Sequence, residues 1–217
     1  LAKPCVMINC HDAGMRLPSV APDHRLIGQF AARYLFEMGH QAIMNVMCLR
    51  RYTMELRLLG IKQAWRARNL RFVDGRDLLA VANFSARDTE EKVGEWLDQR
   101  GDGPLPTAFL VGGDFMAAGT IAALQKRGLR VPQDVSVMSI DGFNLAAIQD
   151  VPLTAVHVPR DELGVEAVHL LQQRLIRPDA PHGALLLHGT LAVRDSVRRI
   201  RAGNRRTAVE AKGLYDD

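Results

Sequence analysis

The sequence predicts an α/β fold built on parallel sheets with helices on both faces. Three observations carry that reading. Strand-like apolar runs alternate with helical patterns along most of the 217 residues, the arrangement that specifies a parallel sheet with right-handed crossovers. Between Thr107 and Asp141 the chain spells out a βαβ unit: a strand from Ala108 to Val111, Gly112-Gly113-Asp114, an apolar helix, Gly128, Val131-Pro132, then a strand from Val135 to Ile140 ending on Asp141. Both strands stop on a Gly or Asp where the chain emerges at the carboxyl edge of the sheet. Open α/β sheets bind ligands at that edge, so the polar residues there are candidate contacts.

Taken in order, strands are predicted at Cys5 to Asn9, Ile43 to Cys48, Leu78 to Ala82, Ala108 to Val111, Val135 to Ile140, Thr154 to Val158 and Leu185 to Val193. Helices separate most of them, at Leu26 to Met38, Met54 to Asn69, Arg87 to Gln99, Phe115 to Arg127 and Asp161 to Ile176. Asp114 stands before an apolar run as an N-cap should, Gly128 follows Lys126-Arg127, and Gly39 closes the first helix. The stripe Leu163, Val165, Val168, Leu171 and Leu175 has the spacing of a core-facing helix. Arg201 to Asp217 mixes both charges with few apolar residues and is expected to be loosely ordered.

Composition is that of an ordinary globular chain, 47% hydrophobic and 24% charged, long enough to bury a sizeable core. Much of the net charge of +4 comes from Arg198, Arg199, Arg201, Arg205 and Arg206, so it does not imply a nucleic-acid surface. Cys5, Cys10 and Cys48 are odd in number and lack metal-ligand spacing, which favours a reduced, cytoplasmic chain. Cys10-His11-Asp12 reads better as a strand cysteine beside a polar loop than as metal ligands, and no metal or cofactor is expected. No secretory signal and no apolar run of membrane-spanning length is visible. There is no GxGxxG, Walker loop, GxSxG, HExxH or paired CxxC, so a binder is favoured over an enzyme.

From Gly128 to Gly142, Gly-Leu-Arg-Val-Pro-Gln-Asp-Val-Ser-Val-Met-Ser-Ile-Asp-Gly, the chain resembles the effector-binding core of the lactose/galactose repressor (LacI/GalR) family of bacterial transcription regulators. The resemblance extends through Asp23, Gly39-His40, Arg57 with Gly60, Pro106-Thr107-Ala108, Gly113-Asp114 with Met116-Ala117, Pro152-Leu153-Thr154, Leu163-Gly164, and Val193-Arg194 with Ser196. It implies a periplasmic-binding-protein-like type I fold, with two α/β lobes, three crossovers and a ligand in the cleft between the lobes. Residues 1–38 and 160–180 would form an incomplete N-terminal lobe, residues 39–156 and 184–200 the C-terminal lobe, and the helix-turn-helix headpiece is not among these residues. The crossovers would fall near Met38 to Gln41, Val156 to Arg160 and Pro178 to Ala184. A lobe short of strands exposes edges and apolar faces, so it needs a longer chain or a partner.

The resemblance also nominates ligand contacts. The family uses the arginine at Arg57 to bind effector, and its planar fork suits sugar hydroxyls, a carboxylate or a purine edge; a solvated helix arginine, or one paired with Glu55, is the alternative. Arg51 and Thr53 correspond to contacts in the family's purine-sensing members, with Thr53 otherwise a helix cap. Asp141 sits at a strand mouth where a carboxylate needs donors that a ligand can supply, or it caps the segment from Phe143 to Ile148. Phe84 would stack on a ring or join the core. Asp23 matches an acid near the cleft and equally suits an N-cap before Leu26. His40 is assigned to the hinge or core. The expected protein is the effector-binding and dimerisation part of a DNA-binding repressor, taking a sugar first and a purine second. A periplasmic sugar-binding protein of a transporter is the alternative.

Overall fold

The computed structural model describes residues 3–10, 12, 14–101, 103–143 and 150–200. The expected tail 201–217, most of the segment from Phe143 to Ile148, and His11 lie outside the described residues. The elements run β1 (Met7–Ile8), β2 (Ser19–Pro22), α1 (His24–Glu37), β3 (Ile43–Met47), α2 (Tyr52–Ala67), β4 (Leu78–Ala80), α3 (Ala86–Arg100), β5 (Ala108–Val111), α4 (Asp114–Gln125), β6 (Ser136–Asp141), β7 (Thr154–His157), α5 (Arg160–Ile176), β8 (Ala184–Leu187) and β9 (Thr190–Ala192). They form two sheets, a six-stranded one in the order β4-β3-β5-β6-β7-β9 and a three-stranded one in the order β1-β2-β8. Every strand pair is parallel except β7 with β9.

The larger sheet is buried on both faces, which explains why its strands read as continuous apolar runs. One face carries Val20, Ile27, Leu35, Ile61, Trp65, Leu110 and Met138, and the other carries Val46, Val93, Phe109, Met116, Leu124 and Val137. Asp23 caps α1, its carboxylate accepting from the amide of Leu26 at 2.8 Å, and Ser85 caps α3 through the amide of Asp88 at 3.1 Å.

The chain changes sheets at Asp23, at Val158-Pro159, and at His188-Gly189. The second lies between β7 and α5. The first does not fall where expected, because β2 was not foreseen: its four buried residues are hidden from periodicity by Pro18 and Pro22. Helix α1 therefore follows the first crossing. It lies against α2 and the large sheet, rather than with residues 1–38 in a partial small lobe. The third crossing differs because Leu185 to Val193 is two strands rather than one. β8 joins the small sheet and β9 the large one, so residues 184–187 also leave the larger unit. Gly189 lets the chain pass close over β7, since a β-carbon there would stand 2.8 Å from Val156 Cγ1.

The apolar stripe on α5 is also corrected. Leu163 is buried, yet Val165, Val168 and Leu175 are more than half exposed. Three strands are too few to cover both shoulders of this helix. Two glycines set the crossing of α1 and α2: a β-carbon on Gly28 would stand 2.1 Å from the carbonyl oxygen of Arg57, and one on Gly60 would stand 1.8 Å from that of Arg25. The helix backbones touch here, and that contact fixes where Arg57 sits.

Candidate ligand-binding site

Helices α1 and α2 and the ends of strands β5 and β6 deliver polar groups to one place at the carboxyl edge of the large sheet. Arg57, one turn into α2, is almost wholly buried, with 3% of its surface exposed. Its guanidinium is engaged on three sides by the protein itself: Nη2 donates to Asp141 Oδ1 at 2.8 Å, Nη1 to the carbonyl of Gly112 at 2.6 Å, and Nε to His24 Nδ1 at 3.3 Å. Arg57 is thus neither a solvated helix arginine nor a partner of Glu55. It anchors Asp141, and few of its donors remain for a ligand.

Asp141 ends β6 with φ of 143°, an unusual conformation for a residue with a side chain, and Gly142 follows at φ 64°. No substituent would fit at Gly142, where a β-carbon would stand 2.7 Å from His157 Cα. Burial holds the carboxyl of Asp141 above the ordinary carboxylate range; Arg57 and Arg160 oppose the rise, and the nearby charge of Asp114 adds to it. Among the described residues, the donors that reach this carboxylate meet Oδ1. Oδ2 lies 3.0 Å from the position a β-carbon on Gly113 would occupy. That same position is 2.0 Å from Phe84 Cζ, so the aromatic ring and the carboxylate converge over a glycine that alone leaves room for them. The guanidinium of Arg51 lies over the Phe84 ring, 4.8 Å from its centroid.

Arg51, Phe84, Asp141 and Arg57 are therefore brought together. Thr53 and Asp23 are placed at the margin. Arg51 holds the N-cap position of α2, so Thr53, inside the first turn and half-buried, does not cap it. Asp23 is used by its own helix, though the next residue, His24, touches Arg57. Asp114 does not cap α4, whose N-cap is Gly113. Its buried carboxylate instead accepts from Ser139 Oγ at 2.6 Å and from the amides of Phe143 at 2.6 Å and Gly142 at 3.3 Å, bracing the turn behind Asp141.

Two further residues belong to the cluster and were not anticipated. His24 is one. The other is Arg160, at the start of α5, whose Nη2 stands 3.6 Å from Asp141 Oδ1 and whose guanidinium lies 3.5 Å from the centroid of the Phe143 ring. No local signal marked Arg160, because the acids Asp161 and Glu162 follow it in the first turn of α5. A hollow of about 360 Å³ elsewhere, bordered by Pro18, Gln173, Arg174 and Pro181, is separate from this cluster. Among the described residues no group of three metal-ligating side chains occurs, and no helix is long and apolar enough to cross a membrane.

Polar groups gathered at the carboxyl edge of a parallel sheet are the arrangement by which open α/β folds bind ligands. The chain belongs to the periplasmic binding protein-like domain family, which it matches over residues 15–197. Within that family its relatives are transcription regulators of the LacI type, as the motif around Asp141 implied. It is 31% identical over 174 residues to the HTH-type transcriptional repressor PurR of Histophilus somni, a match covering 80% of this chain and 51% of that protein. It is 33% identical over 177 residues to the ribose operon repressor of Escherichia coli, covering 80% of this chain and 52% of that one. A crystal structure of a sugar-binding LacI-family regulator from Escherichia coli, complexed with phosphate, superimposes with a TM-score of 0.76 at 26% identity, covering 90% of this chain and 68% of that one. The chain spans about half the length of the curated relatives it matches.

Proposed function

We propose that the chain is the effector-binding and dimerisation region of a cytoplasmic DNA-binding repressor. It would sense a small sugar-like molecule at the Asp141 cluster and act on operator DNA through a headpiece outside these 217 residues. The observation that carries this reading is that, among the described residues, the donors reaching Asp141 gather on Oδ1 and leave Oδ2 to a ligand. A carboxylate with one oxygen tied by Arg57 and the other near an aromatic ring suits a ligand with vicinal hydroxyls, donors to the acid and an apolar C–H face to the ring. Arg51 adds a rim cation. The relatives include a repressor named for the ribose operon, which favours a pentose over other sugars. A purine, stacked on Phe84 and donating a ring N–H to Asp141, is the second choice.

Regulation follows if the ligand binds one lobe arrangement better than the other, for binding without such a difference shifts no equilibrium. The test is thermal denaturation of the chain with D-ribose and, separately, with hypoxanthine. A ligand at about a hundredfold excess over its Kd adds about 2.7 kcal/mol to a native state that alone binds it. D-Ribose is expected to raise Tm for the wild type and not for Asp141→Asn or Phe84→Ala. Equal stabilisation of wild type and Asp141→Asn would remove the site from consideration.

A further inference from the structure

The carboxylate of Asp141 is held by two arginines that differ in every respect that matters for release. Arg57 comes from α2, within the large-sheet unit. It is 2.8 Å from Oδ1, and only 4% of its side chain is exposed. Arg160 comes from the first residue of α5, the helix that packs on β1 and β2 of the small sheet. It is 3.6 Å from the same oxygen, and its side chain is 31% exposed. Its Nη1 also donates to the backbone carbonyl of Asp141 at 3.1 Å. Between the two sheets at this point run only Val158 and Pro159, so Arg160 is the first side chain of the small-sheet unit to reach back to the large sheet.

We propose that Arg160 is a positioning residue that couples occupancy of Asp141 to the attitude of α5, and so of the small-sheet unit, by acting as the displaceable partner of that carboxylate. The proposal rests on the effector-site reading above and extends it to regulation. A ligand donating hydroxyls to Oδ2 draws on the charge of the same carboxylate, and so weakens the hold of Oδ1 on the cations already there. Displacing Arg57 from the carboxylate would leave a buried guanidinium without its acid, which is costly. Moving Arg160 only returns a part-exposed guanidinium to water, where such a pair contributes little. Arg160 is therefore the one that yields. When it yields, α5 loses its side-chain tie to the end of β6, which eases a change of angle between the two units.

The experiment measures the angle directly. Spin labels are placed at Gln99→Cys on α3 and Gln172→Cys on α5, both exposed, with Cys5, Cys10 and Cys48 replaced by serine, and the label-to-label distance distribution is recorded without ligand. Arg160→Gln is expected to add a second, displaced population that the labelled parent lacks, with Arg160→Lys intermediate. In an Asp141→Asn background, Arg160→Gln should add much less. Superimposable distributions for the parent and Arg160→Gln overturn the proposal. So does an equal displacement in the Asp141→Asn background, which would show that Arg160 acts through something other than the carboxylate. These arms need no ligand. In a further arm, D-ribose should move the parent toward the Arg160→Gln distribution while leaving that variant where it is. A parent that fails to respond, and shows no rise in Tm, counts against ribose as effector while the ligand-free arms still decide the role of Arg160.

Discussion

The carbonyl oxygen of Arg57 lies 2.1 Å from the point where a β-carbon on Gly28 would stand, so this buried arginine is seated by backbone contact between two helices. Gly60, one turn further along α2, makes the reciprocal contact with Arg25. Two glycines with no chemistry of their own thereby determine the depth at which Arg57 enters the sheet edge. Glycine within a helix ordinarily weakens it, and here the close crossing is what it provides in return.

Gly60→Ala is therefore expected to destabilise, against the usual benefit of alanine in a helix. Overpacking of this kind costs about 1–3 kcal/mol, with displacement of α2 as the alternative response. Gly164, inside α5, meets nothing within 4 Å, so Gly164→Ala should instead stabilise by about 0.5–1 kcal/mol. Urea denaturation of the two variants gives opposite signs if the crossing is as described, and the same sign if it is not.

The Arg57–Asp141 pair makes a different expectation. Removing one buried partner strands the other, so Arg57→Ala should cost about 3–5 kcal/mol. The double change Arg57→Leu with Asp141→Leu should recover a large part of that loss, because the desolvation of both charges is removed together. A double variant as unstable as the sum of the two single ones would mean that the residues do not act as a pair.

The βαβ unit from Ala108 to Asp141 was legible because every signal in it is local: two apolar strands, the glycines at their mouths and an apolar helix between them. β2 was not, because its four residues owe their burial to pairing of Ser19 with Ala184 near the other end of the chain, and two prolines mask the pattern. In the same way Arg57, Asp141, Phe84 and Arg51 could each be nominated from the motif. That Arg57 would be engaged by Asp141 instead of waiting for a ligand depends on the tilt of α2 over Gly28 and Gly60, which no local pattern encodes. Arg160 and His24 escaped for a related reason, since each becomes part of the site only through where the chain crosses between sheets.

His40 should give the chain a measurable acid sensitivity. Its Nε2 faces the carbonyl of Arg198 at 3.0 Å and its Nδ1 faces the hydroxyl of Thr107 at 3.1 Å, tying the segment before Ile200 to the start of β5. Burial pulls its pKa down to about 4, and the carbonyl of Arg198 opposes the fall. A folded-state value below the unfolded 6.5 means that the native state resists protonation. Stability is then fully present above about pH 6.5 and is lost as pH falls toward 4, by about 3 kcal/mol at roughly 1.4 kcal/mol per pH unit. The urea midpoint of wild type should fall across that window by more than that of His40→Gln. Parallel pH profiles would show that His40 is not the group responsible.

Asp114 closes the account of the site, because it acts on Asp141 without touching a ligand. Its carboxylate receives three donors from the β6 exit, Ser139 Oγ and the amides of Gly142 and Phe143, and Asp114 itself is 1% exposed. Asp114→Ala leaves those donors without their acceptor in a buried turn, where each orphaned group costs about 1–3 kcal/mol unless water reaches it. Asp114→Asn keeps one acceptor oxygen and should lose less, and Ser139→Ala, which deletes one donor together with its bond, should lose least, about 0.5–1.5 kcal/mol. Because the same turn sets the positive φ of Asp141, the order of the three losses should reappear as the order in which D-ribose binding weakens. Calorimetric titration of the three variants checks this: a destabilised Asp114→Ala that still bound ribose at wild-type affinity would separate the turn from the site it is argued to hold in place.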